Sequence, residues 1–318
     1  MGPLIRLITT RSLAALLTLL GALILLFLLI QSVPGDPATI MMGPRATPEL
    51  RAAFAARMGL DRPVWEQLGL FLSRVATGDL GTDIITKRPI ADLLTEALPN
   101  TLQLAGAGLV LALSFGIALG IIAALRPGSA TDTVLGIASV AFITTPGFVV
   151  AIFLLLIFAV GLGWFPVTGA GEGVARLRHL VLPTVALSIG WVGYIARLVR
   201  ASLLEILTEN HVRLMRAYGV PEGRIVRRYA LRLALIPLVS VMGIGVGDMI
   251  ANAIFVEFVF ARPGIGSLIY NAINSRNFPV VQAGILFTVA VYVLANLAVE
   301  IVNAALDPRI ARSLGRAG

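Results

Sequence analysis

The stretch "RLMRAYGVPEGRIVRRYALRLALIP", residues 213–237, decides how this chain is read. Arginine crowds it, Glu222 is its single acid, and an apolar run begins where it ends. Gly219 suits the left-handed position that stops a helix. Pro221 suits the first position of the next helix, and Glu222 complements the positive end of that helix's dipole. The spacing therefore predicts two helices joined by a sharp turn. His211 to Tyr218 forms the short first helix, with Asn210 as its N-cap. In the second, Arg224, Arg228 and Arg232 recur every four residues with Arg227 beside them, while Ile225, Val226, Tyr229 and Leu233 take the opposite face. A basic amphipathic helix of this kind fixes topology and touches anionic lipid. A short helix projected ahead of a glycine break also gives a partner's groove something to grip. The residues alone leave both readings open.

The rest of the chain is strongly apolar. Of its 318 residues 58% are hydrophobic and 13% are charged, with a net charge of +8 and a mean hydropathy of +0.92. Soluble domains carry about 25% charged residues, so the composition is that of a membrane protein. The absence of cysteine excludes disulfides, thiolate nucleophiles and Cys-based metal sites. His179 and His211 lie far apart, which argues against a His-rich zinc site. Lys87 is the only lysine, and Arg88 and Pro89 follow it. A phosphate-binding loop needs Gly-Lys-Ser/Thr at that point, so the chain is expected to have no ATPase site of its own. No Ser/His/Asp or paired-carboxylate arrangement within one run suggests an intramembrane hydrolase.

A membrane span takes about 20 apolar residues, and six runs qualify: Leu13–Ile30, Thr101–Leu125, Thr133–Gly161, Leu180–Ala196, Leu233–Val256 and Val280–Ala305. The first is longer than the core of a cleaved signal peptide, about 7–15 residues, and "QSVPGDP" after it lacks a small-x-small cleavage pattern, so it is expected to remain as an anchor. Thr144, Thr145, Pro146 and Gly147 should kink the third run. Arginines in short loops are retained on the cytoplasmic side. Arg6, Arg11, Arg126, Arg197, Arg200, the 213–232 group, Arg309, Arg312 and Arg316 all share one side if both termini are cytoplasmic. Arg176 and Arg178 are the exceptions. The expected organisation is a tail and first span over 1–30, an extracytoplasmic cap over 31–100 with a helix across Pro48–Gly59, a core of five further spans over 101–305 containing a cytoplasmic segment at 204–232, and a cytoplasmic tail over 306–318. The fold class is thus an all-α integral membrane protein.

Asp248 lies near the middle of the fifth run, where a charge costs about 2.5–3.5 kcal/mol on insertion scales. Asn252 is one helical turn on. The pair either lines a substrate path or makes a structural hydrogen bond to a neighbouring helix. Glu257 and Glu300 fall near the ends of their runs and are expected to reach an interface. Trp164, Trp191 and Tyr194 are expected to anchor or pack. Gly116-x-x-x-Gly120 and Gly243-x-x-x-Gly247 permit close helix approach.

Several motifs, in order, extend along nearly the whole chain: "VPGDP" (33–37), "GDLGTD" (78–83), "LPNTLQLA" (98–105), "LPTVALSIG" (182–190), "FARPGIGSLIYNAI" (260–273), "FPVVQAG" (278–284) and "LDPRI" (306–310). Together they resemble the permease subunit of ABC importers in the dipeptide/oligopeptide/nickel class. The cytoplasmic signature of such permeases sets a glycine 18 residues before a proline, matched by Gly219 and Pro237. Met215 stands where alanine is usual, and Leu233 where asparagine is common. The resemblance implies that His211, Val212, Arg213, Met215, Arg216, Tyr218 and Gly219 belong to a coupling helix seated on a separate ATP-binding subunit. It further implies a homologous second permease, two P-loop ATPase subunits that use ATP and Mg, an external solute-binding protein and surrounding lipid. No cofactor is expected on this chain, and nucleic acid is not among its expected partners. The alternative, a self-sufficient secondary transporter or channel, would need coupling-ion groups at midplane and often an inverted repeat; Asp248 alone gives that alternative little support.

Overall fold

The computed structural model describes residues 3–32, 47–49, 52, 56 and 61–306. Most of the helix expected across 48–59, the "VPGDP" motif and the tail beyond 306 lie outside the described residues. Among the described residues regular structure is helical, apart from an isolated bridge between Thr82 and Pro89. Five helices are long and apolar enough to cross a membrane. They are α1 (Pro3–Gln31), α3 (Ile90–Leu125), α6 (Ala175–Thr208), α10 (Ile236–Val259) and α12 (Phe278–Leu306). Between them come α2 (Val64–Ala76), α4 (Ala130–Thr144), α5 (Gly147–Leu154), α7 (Asn210–Ala217), α8 (Glu222–Arg224), α9 (Leu231–Ala234) and α11 (Ile265–Asn274).

The third run is more than a kinked span. α4 and α5 meet at 103° across Thr145–Pro146. Proline pushes the residue before it out of helical conformation, and Thr145 is extended at φ −88°, ψ 120°. Below the bend α5 continues as a π-helical turn, Leu155–Gly161. At about 1.5 Å per residue, the 15 residues of α4 fall short of a hydrocarbon core about 30 Å thick. The expected kinked span is therefore two half-helices at a steep angle.

Two glycine seams bring the long helices together. A Cβ on Gly116 or Gly120 would press into Ile195, Ala196 and Val199, so α3 and α6 touch backbone to side chain along their length. Gly243 and Gly247 do the same for α10 against Val299 and Tyr292 of α12. The sequence spacing that suggested close approach is used at both. Around the α3–α6 seam Leu104, Ala112, Leu187, Met249 and Ala253 form the main buried cluster. α1 joins the rim through Leu23 and Leu26 against Leu286 of α12, and Arg11 pairs with Glu300 at 3.2 Å. Glu300 thus ties α12 to α1.

The half-helix α4 is fastened at its first turn. Ser129 caps it by accepting from the Asp132 amide at 3.2 Å. Asp132 in turn accepts two bonds from Arg200 of α6, from Nε at 2.5 Å and Nη2 at 2.7 Å, and one from the Gly128 amide at 2.9 Å. A fork-to-carboxylate pair of this geometry is among the stronger polar contacts a protein makes. It ties α4 to the end of α6 from which α7 departs.

Candidate coupling elbow and central cavity

The basic segment folds as an elbow. α7 runs from Asn210 to Ala217, one residue ahead of the sequence expectation, and Glu209 rather than Asn210 holds the N-cap position. The helix ends in a Schellman turn. The Gly219 amide bonds Arg216 O and the Val220 amide bonds Met215 O, both at 3.0 Å, with Gly219 at φ +71°. Pro221 sits at the N-cap, one position before the expected first helical residue, and Glu222 opens the next helix. Arg216 braces the turn. Its Nε and Nη2 donate to Glu222 at 2.9 and 2.7 Å, and its Nη1 donates to Leu207 O of α6 at 3.1 Å. The pairing holds the Glu222 carboxyl below the usual glutamate range, with the Arg216 hydrogen bond as the main cause. His211 Nδ1 lies 2.9 Å from Glu209. Arg213 is exposed and makes no ion pair among the described residues.

The apolar residues of α7 divide between two sides. Val212 is fully buried against the chain's own body and Met215 is half-buried. Tyr218 is 81% exposed and shares the outer side of α7 with Leu214, 56% exposed and four residues earlier. Val212 is therefore an internal anchor, not a docking residue. Beyond the turn the predicted four-residue periodicity also slips. Residues Ile225–Ala230 form a π-helical turn. The wider turn carries Ala230 and Ala234 inward with Ile225 and Val226, and leaves Tyr229 and Leu233 exposed. Arg224, Arg227, Arg228 and Arg232 all remain outside.

At the α4–α5 bend, helices α6 and α10 border an open-sided cavity of about 410 Å³. Asp248 and Asn252 line it, together with Thr145, Pro146, Gly147, Trp191 and Tyr194. Asp248 is held by two neutral donors: Trp191 Nε1 donates to Oδ2 at 2.8 Å, and Asn252 Nδ2 donates to Oδ1 at 2.9 Å. Asp248 thus makes the hydrogen bond to a neighbouring helix that one sequence reading expects, and it also faces this cavity. Trp191 packs over Gly245, and its ring meets Tyr194 edge-on at 5.4 Å and 65°. Both aromatics, expected to anchor or pack, also line the cavity.

Comparison with known proteins places these features in a family. Residues 116–312 match the model of the binding-protein-dependent transport system inner membrane component, and residues 4–105 match that of its N-terminal region. The chain belongs to this family. It is a permease subunit of an ABC importer. The di/tripeptide transport system permease protein DppB of Pseudomonas aeruginosa (strain UCBPP-PA14) is 36% identical, over 92% of this chain and 95% of the relative. The glutathione transport system permease protein GsiC of Shigella flexneri serotype 5b (strain 8401) is also 36% identical, over 94% and 97%. The dipeptide transport system permease protein DppB of Alkalihalophilus pseudofirmus is 34% identical, over 92% and 95%. In fold, the chain is similar to one in inward-facing conformations of the MetNI methionine ABC transporter, with a TM-score of 0.56 at 22% identity, covering 69% of this chain and 99% of that one.

The permease also contains a buried polar knot that its sequence hid. Glu257 does not reach an interface: it is fully buried, because the loop after α10 turns back and seats α11 over it. The Thr101 hydroxyl donates to Glu257 Oε1 at 2.6 Å and the Gly266 amide to Oε2 at 2.8 Å, while the Ile265 amide donates to the Thr101 oxygen at 3.0 Å. Glu257 thus satisfies and charge-complements the N-terminus of α11. The "PGIG" glycines are dictated by this contact. A Cβ at Gly264 would overlap the Glu257 carboxyl, and one at Gly266 would overlap the backbone of Ile254. Arg262 beside the knot is fully buried and donates to Gln103 Oε1 at 3.1 Å. Arg176 and Arg178, the exceptions to the charge pattern, donate to Asn100 Oδ1 at 3.1 Å and Trp164 O at 2.8 Å. Among the described residues no group of three or more His, Cys, Asp or Glu is placed to hold a metal ion.

Proposed function

We propose that α7 is the coupling helix through which separate ATP- and Mg-using subunits drive this permease, and that the cavity beside the α4–α5 bend belongs to the translocation path. The observation that carries the first part is the elbow itself: a two-turn helix stopped by a glycine turn, anchored inward by Val212 and presenting Leu214 and Tyr218 outward. An exposed tyrosine and leucine at helical spacing suit a hydrophobic groove on a partner. Arg200 and Asp132 extend the connection from the base of the elbow to α4, so a push on α7 reaches the half-helix that borders the cavity. The orientation that fits is α7 and both termini in the cytoplasm, with the 61–90 region facing outward as part of the cap. ATP hydrolysis falls to the partners because no Gly-Lys-Ser/Thr is present. The cargo class that the similar permeases suggest is peptides or a related small solute, delivered by an external binding protein to a pathway shared with a homologous second permease.

The test is uptake by the assembled importer in proteoliposomes. Gly219→Pro removes the positive φ and the Gly219 amide bond, and Met215→Glu places a charge on the half-buried side of α7. Each should lower ATP-driven uptake at least tenfold while the subunit still inserts and assembles. Normal uptake by both variants would dismiss α7 as the lever.

A further inference from the structure

Resting on the reading of the cavity as part of the path, we infer that it is a site for protonated amines, and that Trp191 and Tyr194 select the cargo alongside Asp248. Asp248 is the sole charged residue among those lining the cavity. It makes no ion pair among the described residues; each of its oxygens instead accepts one N–H from a neutral neighbour. A carboxylate has about four acceptor positions, so these two bonds orient the group and leave it capacity for a further donor. A charge this far along a span is costly without a partner, and its two neutral donors offset that cost only in part.

The surroundings fit an ammonium group better than a neutral amide. Trp191 fixes the carboxylate through Nε1, and it and Tyr194 present aromatic ring area in the same cavity. Ring faces attract cations, tryptophan most strongly. An anion entering here would meet Asp248 with no basic group among the lining residues to offset it. The volume, about 410 Å³, lies within the usual range for small-ligand sites of about 300–1,000 Å³. The chemical class is therefore a small solute with a free amine, such as the amino terminus of a short peptide. The amine is held by charge and by cation–π contact, and the remainder of the solute lies against Pro146, Gly147 and the apolar wall.

The chain has three tryptophans, Trp65, Trp164 and Trp191, so Trp65→Phe with Trp164→Phe leaves Trp191 as the only reporter in this subunit. In the permease–ATPase complex in nanodiscs, assembled without the binding protein and with partner-subunit tryptophans likewise replaced, three probes are titrated against its fluorescence. These are alanyl-alanine, alanyl-alanine amide and N-acetyl-alanyl-alanine. The two amines should give saturable changes, and the acetylated peptide should bind at least tenfold more weakly. Asp248→Asn, which keeps an acceptor for Trp191, should weaken both amines tenfold or more, and Asp248→Glu should restore most of the loss. An acetylated peptide that binds as tightly as the amines, or Asp248→Asn within twofold of the parent, overturns the amine assignment. Thr145→Phe, which fills the cavity from the bend, separates the two claims. If it leaves uptake of every cargo unchanged, the path reading fails whatever the fluorescence shows. If it blocks uptake while amine preference survives Asp248→Asn, only the amine assignment fails.

Discussion

The two ends of this helical bundle are held together in opposite ways. At one end Glu257, Thr101 and the amides of Ile265 and Gly266 bond one another in full burial, with fully buried Arg262 alongside. At the other the elbow is held by a glycine turn and by Arg216 and Glu222, whose side chains are 41% and 54% exposed. Polar groups bonded away from water are costly to separate. Exposed ion pairs contribute about 0–1 kcal/mol. Under the proposed coupling role, the first end would serve as a fixed plate and the second as a handle that shifts without melting the bundle. The Asp132–Arg200 clamp at the base of the elbow, buried on its aspartate side and 36% exposed on its arginine side, is intermediate between them in burial.

The contrast breaks most visibly at Glu257. Glu257→Ala strands the Thr101 hydroxyl and the Gly266 amide in a dry site and leaves an unfilled space. Each buried donor left unsatisfied costs about 1–3 kcal/mol, and two are stranded here. The purified permease complex should lose monodispersity and melt at a clearly lower temperature, whereas Glu257→Gln, which can still accept and donate, should be milder. A melting temperature unchanged in Glu257→Ala would show that the buried end is not the stronger one. Asp132→Ala comes next. Arg200 remains partly in water, so screening keeps the loss of stability below that at Glu257. Its larger consequence should be functional: a modest drop in thermal stability with a severalfold fall in uptake per ATP hydrolysed, because α4 is freed from α6. An uptake-to-hydrolysis ratio equal to that of the unaltered importer would remove the clamp from the coupling route.

What was legible in the sequence divides along the same line. The apolar runs, the left-handed turn at Gly219 and both glycine seams follow from local chemistry: hydropathy over about 20 residues, a backbone position only glycine adopts easily, and small residues four apart. Three features did not follow. The bend at Thr145–Pro146 announced itself, but its 103° depends on what packs on either arm. The π-helical turn at Ile225–Ala230 reassigned the faces of Tyr229 and Leu233, and a fixed 3.6-residue period cannot anticipate an inserted residue. Glu257 looked like an interfacial acid because its partners, Thr101 and Gly266, are supplied by a distant helix and by a loop that folds back. The one local clue was the pair of glycines at 264 and 266, whose Cβ positions are occupied by Glu257 and Ile254. Trp191 was assigned to packing for a related reason, since its bond to Asp248 joins helices 57 residues apart.

The smallest expected effect concerns acid at the handle. Arg216 lowers the Glu222 pKa in the folded elbow, while in an unfolded chain glutamate titrates near about 4.3. A group with a depressed folded pKa contributes its stabilisation above the unfolded value and loses it as pH falls through the folded one. The Arg216–Glu222 contribution is therefore constant across pH 5–8 and disappears only in a window below about pH 4.3. Since both side chains are substantially exposed, solvent screening keeps the effect small. Glu222→Gln should reproduce the acid state at neutral pH, with a slight loss of uptake, unchanged assembly, and no further change in the elbow when the pH is lowered. Site-directed spin labels at Leu214 and Tyr218 would read this directly, as a turn that loosens in the parent below pH 4.3 and is already loose in Glu222→Gln. If Glu222→Gln instead cost as much uptake as Asp132→Ala, the exposed turn would be as rigidly built as the clamp at its base, and the division between plate and handle would not hold.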